Sequence, residues 1–289
     1  MGNDAGRGLR RAGWLFVSSA VFAAAALAGC VSGHPAGKST APAASSAPAA
    51  PSPSPSPTGT GATAACVTSA AKGSCGPYLY PAITHSNGQN TTVAQDVWNP
   101  IGGWSQTLHA TSPGKWYVTA NMPAGNTAVV SYPSTGQNFP PNKLTDFSSI
   151  YSSFAENMNP LPGTSAEAAY DVWLNNWHNE VMIQHDIVNR GACPVLTTAG
   201  FGGSGGVPVQ LWSLCKFGSE LIWQLSGRGE RSGRVNILAM LSWLVAHTYL
   251  PKESGLTAIG YGFEICSTGG KPETFTVSRF SVSAAGRPR

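Results

Sequence analysis

Residues 169–183 read AYDVWLNNWHNEVMI. Two runs of alternating character flank Asn175-Asn176, the pattern of a β-hairpin around a turn-forming pair. A two-residue turn there sets Leu174 opposite Trp177, Trp173 opposite His178 and Asp171 opposite Glu180. Residues directly opposed on such a pair have Cβ atoms about 5 Å apart. Two carboxyls that close repel each other, so at least one pKa rises. That repulsion contributes nothing to folding and is useful in a reactive site. On the second strand Glu180 shares its face with Met182 and Gln184, while Val181 and Ile183 point toward packing. On the first, Asp171 shares its face with Ala169 and Trp173. A buried core excludes the acids and a plain solvent face excludes the Trp and Met, whereas a ligand cleft accommodates both.

The same period-2 patterning recurs in KWYVTA (115–120), NTAVVSY (126–132), ELIWQL (220–225) and TFTVSRFSV (274–282). Each reads as a strand, and Gly, Pro and Asn punctuate them at short intervals. Many short strands with turn-rich joints indicate an all-β fold, a sandwich or jelly roll of two antiparallel sheets. One segment departs from it. RVNILAMLSWLVAHTYL (234–250) places Ile237, Met240, Leu241, Leu244 and Val245 at helical spacing, with Pro251 behind it, and predicts a single helix packed outside a sheet. LTTAGFGGSGG (196–206) reads as a flexible loop rimming a binding site.

The ends of the chain carry no core. Arg7, Arg10 and Arg11 precede an apolar, Ala-rich run at 14–28 that is short for a membrane span. It stops at Leu27-Ala28-Gly29-Cys30, which resembles a bacterial lipobox. Residues 1–30 are therefore expected to be a lipoprotein signal peptide with Cys30 as the lipidated residue. Residues 31–65 are rich in Ala, Ser and Pro, with a Pro-Ser run at 51–57, and read as a disordered tether. That leaves residues 66–289 as one domain, outside the cytoplasm and held to the membrane through a lipid anchor only, or secreted.

Charge narrows the choice of partner. The chain carries a net +4, of which three Arg and one Asp in residues 1–30 and Lys38 in the tether account for +3. A nearly neutral domain without a Lys/Arg cluster is not a nucleic-acid binder. Few charges among many Gly, Asn, Ser, Thr and Trp suit an uncharged glycan. Five cysteines follow Cys30, namely Cys66, Cys75, Cys193, Cys215 and Cys266. An oxidising compartment permits pairing, and proximity suggests Cys66–Cys75 and Cys193–Cys215, which leaves Cys266 free. His178, His185 and Asp186 lack metal-ligand spacing and the two imidazoles would sit on opposite faces, so no metal is expected.

A second acid stands in YGFEICSTGG (261–270), where Tyr261, Phe263 and Ile265 face one way and Gly262, Glu264 and Cys266 the other. Cleavage of a glycosidic bond uses two carboxyls, about 5–5.5 Å apart when configuration is retained and about 6.5–9.5 Å apart when it is inverted. With Glu264 included the chain resembles the family 12 glycoside hydrolases, β-jelly rolls with a concave substrate cleft that cleave β-1,4-glucans and xyloglucan. The resemblance runs over about residues 75–283. AYDVWL (169–174) is similar to the strand bearing the family's auxiliary Asp, NEVMI (179–183) to its nucleophile strand, GFEI (262–265) to its acid/base strand, and VVSYP (129–133) to another strand.

The resemblance implies Glu180 as nucleophile, Glu264 as general acid/base and Asp171 as the neighbour that tunes Glu180. It implies substrate contacts from Trp98, Asp96, Tyr78, Met182 and Pro194, no cofactor, and a monomer acting on a β-glucan. Two positions depart from the family pattern, Asp96 where Asn is common and Gln184 where Trp is common. A non-catalytic glycan-binding lipoprotein on the same jelly roll is the alternative reading.

Overall fold

The computed structural model describes residues 90–288, apart from 98, 100, 101, 192, 204 and 205, and the backbone of two earlier strands. In chain order the strands are β1 (Ala62–Val67), β2 (Tyr80–Thr84), β3 (Asn90–Ala94), β4 (Ser105–Ser112), β5 (Lys115–Asn121), β6 (Ser134–Lys143) and β7 (Phe147–Asn157). There follow β8 (Thr164–Leu174), β9 (Asn179–Val188), β10 (Val195–Phe201), β11 (Gln210–Phe217), β12 (Glu220–Leu225) and β13 (Ser232–Asn236). One helix, α1 (Ile237–Ala246), precedes β14 (Gly255–Thr268) and β15 (Glu273–Gly286).

They form two sheets, a smaller one in the order β1-β4-β5-β15-β7-β13 and a larger one in the order β10-β11-β12-β9-β8-β14-β6-β3-β2. All pairs are antiparallel except β12 with β9. Alternation decides which residues fill the space between the sheets. Leu108, Trp116 and Val118 of the smaller sheet meet Tyr170, Val172, Ile259, Tyr261 and Phe263 of the larger, all buried. Trp116 packs edge-on against Phe263 with centroids 5.7 Å apart, and its Nε1 donates to Thr135 Oγ1 at 2.7 Å. Each such fully buried side chain stabilises the fold by about 1.5–3 kcal/mol, so the inward faces of β8 and β14 fix which way their other faces point.

The jelly-roll sandwich is as the alternation indicates, with four local differences. Val129, Val130 and the residues around them form no ladder; the segment is extended and makes isolated bridges only, Val97 to Ser131 and Ser131 to Ile265. Its backbone groups go instead to β14 (Val130 N to Ile265 O, Ile265 N to Ser131 O). The first half of the supposed loop at 196–206 is β10, an edge strand paired with β11. The helix is shorter than 234–250, because Arg234 and Val235 pair with β7 and Asn236 caps α1 by accepting from Ala239 N at 3.1 Å. Cys193 and Cys215 are bonded as expected, but Cys266 is also disulfide-bonded and not free. The expectations for Cys30, the tether, Tyr78, Trp98 and the Cys66–Cys75 bond lie outside the described residues.

Candidate active site

The β8–β9 hairpin exists, but its turn is longer than two residues. Asn175–His178 form the turn, and Asn175, Asn176 and Trp177 all take left-handed φ values of 53°, 54° and 71°. Asn tolerates this region and Trp does not readily. The conformation is held from outside, since Asn175 N donates to Gly255 O, Gly255 N to Asn175 Oδ1, and Asn176 N to Thr257 Oγ1. The register is consequently Trp173 with Glu180 and Asp171 with Met182. Asp171 is not directly opposite Glu180, which corrects the two-residue-turn reading; it is a diagonal neighbour. A shift by an even number of residues leaves every side chain on its original face. Asp171, Trp173, Glu180 and Met182 therefore still share the outward face of the larger sheet.

Glu264 reaches that face from the other side of β8. On β14, Gly260 pairs with Asp171, Gly262 with Ala169 and Glu264 with Glu167. Gly262 has a steric reason to be glycine: a Cβ there would lie 2.1 Å from Pro133 O, where the 129–133 segment crosses the strand. That segment lays Tyr132 over the floor, its hydroxyl donating to Ala169 O at 3.1 Å. The floor is well covered, with Glu167, Asp171 and Glu264 only 1%, 8% and 3% exposed. Ala169, Met182, Cys215 and Ile222 form its apolar patch.

Burial sets the electrostatics. It pushes the Glu180 carboxyl up to about 9, with the charges of Glu220 and Glu264 adding to the effect. Asp171 is raised well above the usual carboxylate range, first by burial and then by Glu180, Glu264, Glu220 and Glu167. Asp96, half-buried with a left-handed φ of 41°, is pushed up to about 7 by burial and by Glu264. Asp171 lies diagonal to Glu180 on the shared face, and the charge of Glu264 acts on both. Met182 lies beside them at the base of the cleft, and Pro194 is exposed just after the Cys193–Cys215 bond.

Arg190, Glu167, Gln224 and Glu220 are polar residues of the site that escaped the sequence reading. Arg190 follows Asn189, whose φ of 49° turns the chain and whose Nδ2 donates to Thr164 O. The Nη1 of Arg190 contacts Glu264 Oε2 and lies 2.8 Å from Glu167 Oε1. Gln184 Nε2 donates to the same Glu167 oxygen at 2.7 Å and Gln184 Oε1 accepts from Gln224 Nε2 at 2.7 Å. Gln184 thus sits in the middle of a buried polar chain from Glu167 to Gln224. Glu220 begins β12, one residue before the Leu221–Val181 pair, and so flanks Glu180. Burial pushes it up to about 8, Glu264 adding and Arg190 opposing. The alternation of ELIWQL could have flagged Glu220, on the face of Ile222 and Gln224. Nothing in the sequence near Arg190 indicates its target. Among the described residues there is no cluster of potential metal ligands.

No family model matches the sequence, and no curated protein is similar to it in sequence. Solved structures are similar in fold. A native family 12 xyloglucanase from Bacillus licheniformis superposes with a TM-score of 0.59 at 19% identity, over 72% of this chain and 97% of that one. The endoglucanase cel12A from Rhodothermus marinus gives 0.59 at 18%, over 72% and 97%. The xyloglucanase domain of NopAA from Sinorhizobium fredii, solved with cellobiose, gives 0.56 at 22%, over 71% and 96%. The likeness spans nearly the whole of each of those chains and is one of architecture, so this chain has the jelly-roll fold seen in family 12 glycoside hydrolases.

Proposed function

We propose that the protein is a retaining endo-acting glycoside hydrolase that cleaves β-1,4-glucosidic bonds in cellulose-like β-glucans or xyloglucan. One observation carries the reading: Glu180 and Glu264 stand on the two strands that flank β8, on one face, with Asp171 between them. In the first step Glu180 attacks the anomeric carbon and Glu264 gives its proton to the departing oxygen. In the second, Glu264 takes a proton from water, which attacks the glycosyl-enzyme and frees Glu180. Asp171 adjoins Glu180 diagonally and adjusts its charge. Trp173, directly paired with Glu180, offers a ring face to a sugar. The disulfide between Cys193 and Cys215 suits a protein working outside the cytoplasm, tethered through Cys30.

The contact of Arg190 with Glu264 favours a second reading. A carboxyl that must donate a proton is here held by a cation, as would suit a glycan-binding module that no longer cleaves. Reducing-sugar release from soluble β-glucan and xyloglucan separates the two. Glu180→Gln and Glu264→Gln should each abolish release while leaving the fold intact. A folded wild-type protein that binds these polymers without releasing sugar is the binding module.

A further inference from the structure

The cleft holds more acid than hydrolysis requires. Glu167, Asp171, Glu180, Glu220 and Glu264 line one outward face, from Glu220 beside Glu180 across β8 to Glu264 beside Glu167, and the charge of Glu264 also reaches Asp96. The one described guanidinium among them, Arg190, is engaged by Glu167 and Glu264. Glu220 has no place in the double-displacement steps. It is 6% exposed, it flanks Glu180, and its Oε1 is buried with no hydrogen-bond partner; Asp171 Oδ1, at 8% exposure, is in the same condition. Lys216, the nearest cation on the adjoining strand, pairs with Leu221 and is exposed, so it lies on the other face.

A buried carboxyl oxygen without a partner costs free energy until a ligand supplies one. A neutral glucan offers hydroxyls. A β-1,4 chain of 2-amino-2-deoxyglucose has the same equatorial backbone and offers an ammonium on every ring. We propose that the cleft prefers β-1,4-linked 2-amino-2-deoxyglucose oligomers to uncharged glucan, with Glu220 and Asp171 receiving the ammonium groups beside the reaction centre. The proposal rests on the glycoside-hydrolase reading for the orientation of the chain, not for the charge. Burial and crowding keep protons on Glu180, Glu220 and Asp96 in the free site, so an ammonium enters in exchange for protons. Ligand binding should then expel protons from the site.

The test is calorimetric titration of the purified protein at slightly acidic pH with the glucosamine tetramer and with cellotetraose. The amino-sugar is expected to bind about tenfold tighter or more, as charge-assisted hydrogen bonds allow. Its affinity should fall with added salt, and it should release protons, read from the change in heat between buffers of different ionisation enthalpy. Glu220→Gln should remove most of the preference. Equal or tighter binding of cellotetraose overturns the proposal, as does a preference unaffected by both salt and Glu220→Gln. Reducing-sugar release is followed in parallel. Cleavage of β-glucan without any amino-sugar preference sinks the proposal and leaves the hydrolase reading standing. Tight, salt-sensitive amino-sugar binding without cleavage of either polymer sinks the hydrolase reading and leaves the proposal standing.

Discussion

Replacing Arg190 by Met removes the buried cation between Glu167 and Glu264 while keeping most of the side-chain volume. Arg190, Glu167 and Glu264 have side chains only 5%, 1% and 4% exposed. At about 4 Å and an effective dielectric constant of about 20, one such pair is worth roughly 4 kcal/mol. Loss of one partner from a buried pair typically costs about 3–5 kcal/mol. The full Coulomb loss from two carboxylates is not expected, because the site can take up a proton. A destabilisation of about 3–4 kcal/mol corresponds to a drop of roughly 6–16 °C in Tm for a domain of this size.

The pH dependence identifies the cause. Burial already raises Glu167, and Arg190 opposes that rise, so the variant raises it further. A carboxyl raised in the folded state favours folding below its unfolded pKa and loses that contribution as pH rises. The gap between wild type and Arg190→Met should therefore be constant at low pH, where Glu167 keeps its proton in both, and widen above the pH at which wild-type Glu167 ionises. Thermal unfolding followed by circular dichroism from pH 5 to pH 10 reads both effects. Adding Glu167→Met should recover much of the loss, since an apolar replacement of a whole buried pair is often neutral. A Tm within about 2 °C of wild type at pH 7, or a gap that narrows as pH rises, refutes the reasoning.

Other outcomes follow from the same features. Because Glu180 must be ionised to attack and is pushed up to about 9 in the free site, the rising limb of kcat/KM should be displaced to higher pH than an ordinary carboxylate gives, and Glu220→Gln should move that limb to lower pH; a limb unmoved in the variant argues against Glu220 flanking the nucleophile. Stability should be highest near pH 5 and decline toward pH 9, since Asp96 and Glu273 at about 7, Glu220 at about 8, and Glu180 and Glu156 at about 9 keep protons that the unfolded chain has lost. A urea midpoint that is flat or rising over that range contradicts it. Cys193→Ser with Cys215→Ser opens a loop of 22 residues and should cost about 3 kcal/mol in urea unfolding. A loss below about 1 kcal/mol would show that the segment after Arg190 is held without it.

The face of the hairpin was legible in the sequence and its register was not. Side-chain alternation assigns Asp171, Glu180 and Met182 to one side whatever the turn length, provided the slip is even. The turn depends on Gly255 and Thr257 of a strand about eighty residues away, so local sequence could not fix it. Glu264 was legible for the same reason as Glu180, through the apolar alternation of Tyr261, Phe263 and Ile265. Val129–Ser131 alternated like a strand yet became an extended bridge, because its partners are single residues of β14 and of the chain before Trp98. Arg190 was invisible: its position results from a turn at Asn189 and from hydrogen bonds to Thr164 and Ser165. Glu220 carried a readable signal, an acid on the alternating face of a strand, but only the parallel pairing of β12 with β9 gave it a neighbour.

The most direct test of the catalytic assignment is to trap the glycosyl-enzyme. A cellobioside with a reactive leaving group and a fluorine beside the anomeric carbon slows the second step, so the intermediate of a retaining enzyme accumulates. Peptide mapping by mass spectrometry then locates the sugar. A single adduct on the carboxyl of Glu180, absent in Glu180→Gln, is the expected result. Turnover of the unfluorinated cellobioside without any trapped adduct, or an adduct on another residue, would contradict the assignment of Glu180 as nucleophile.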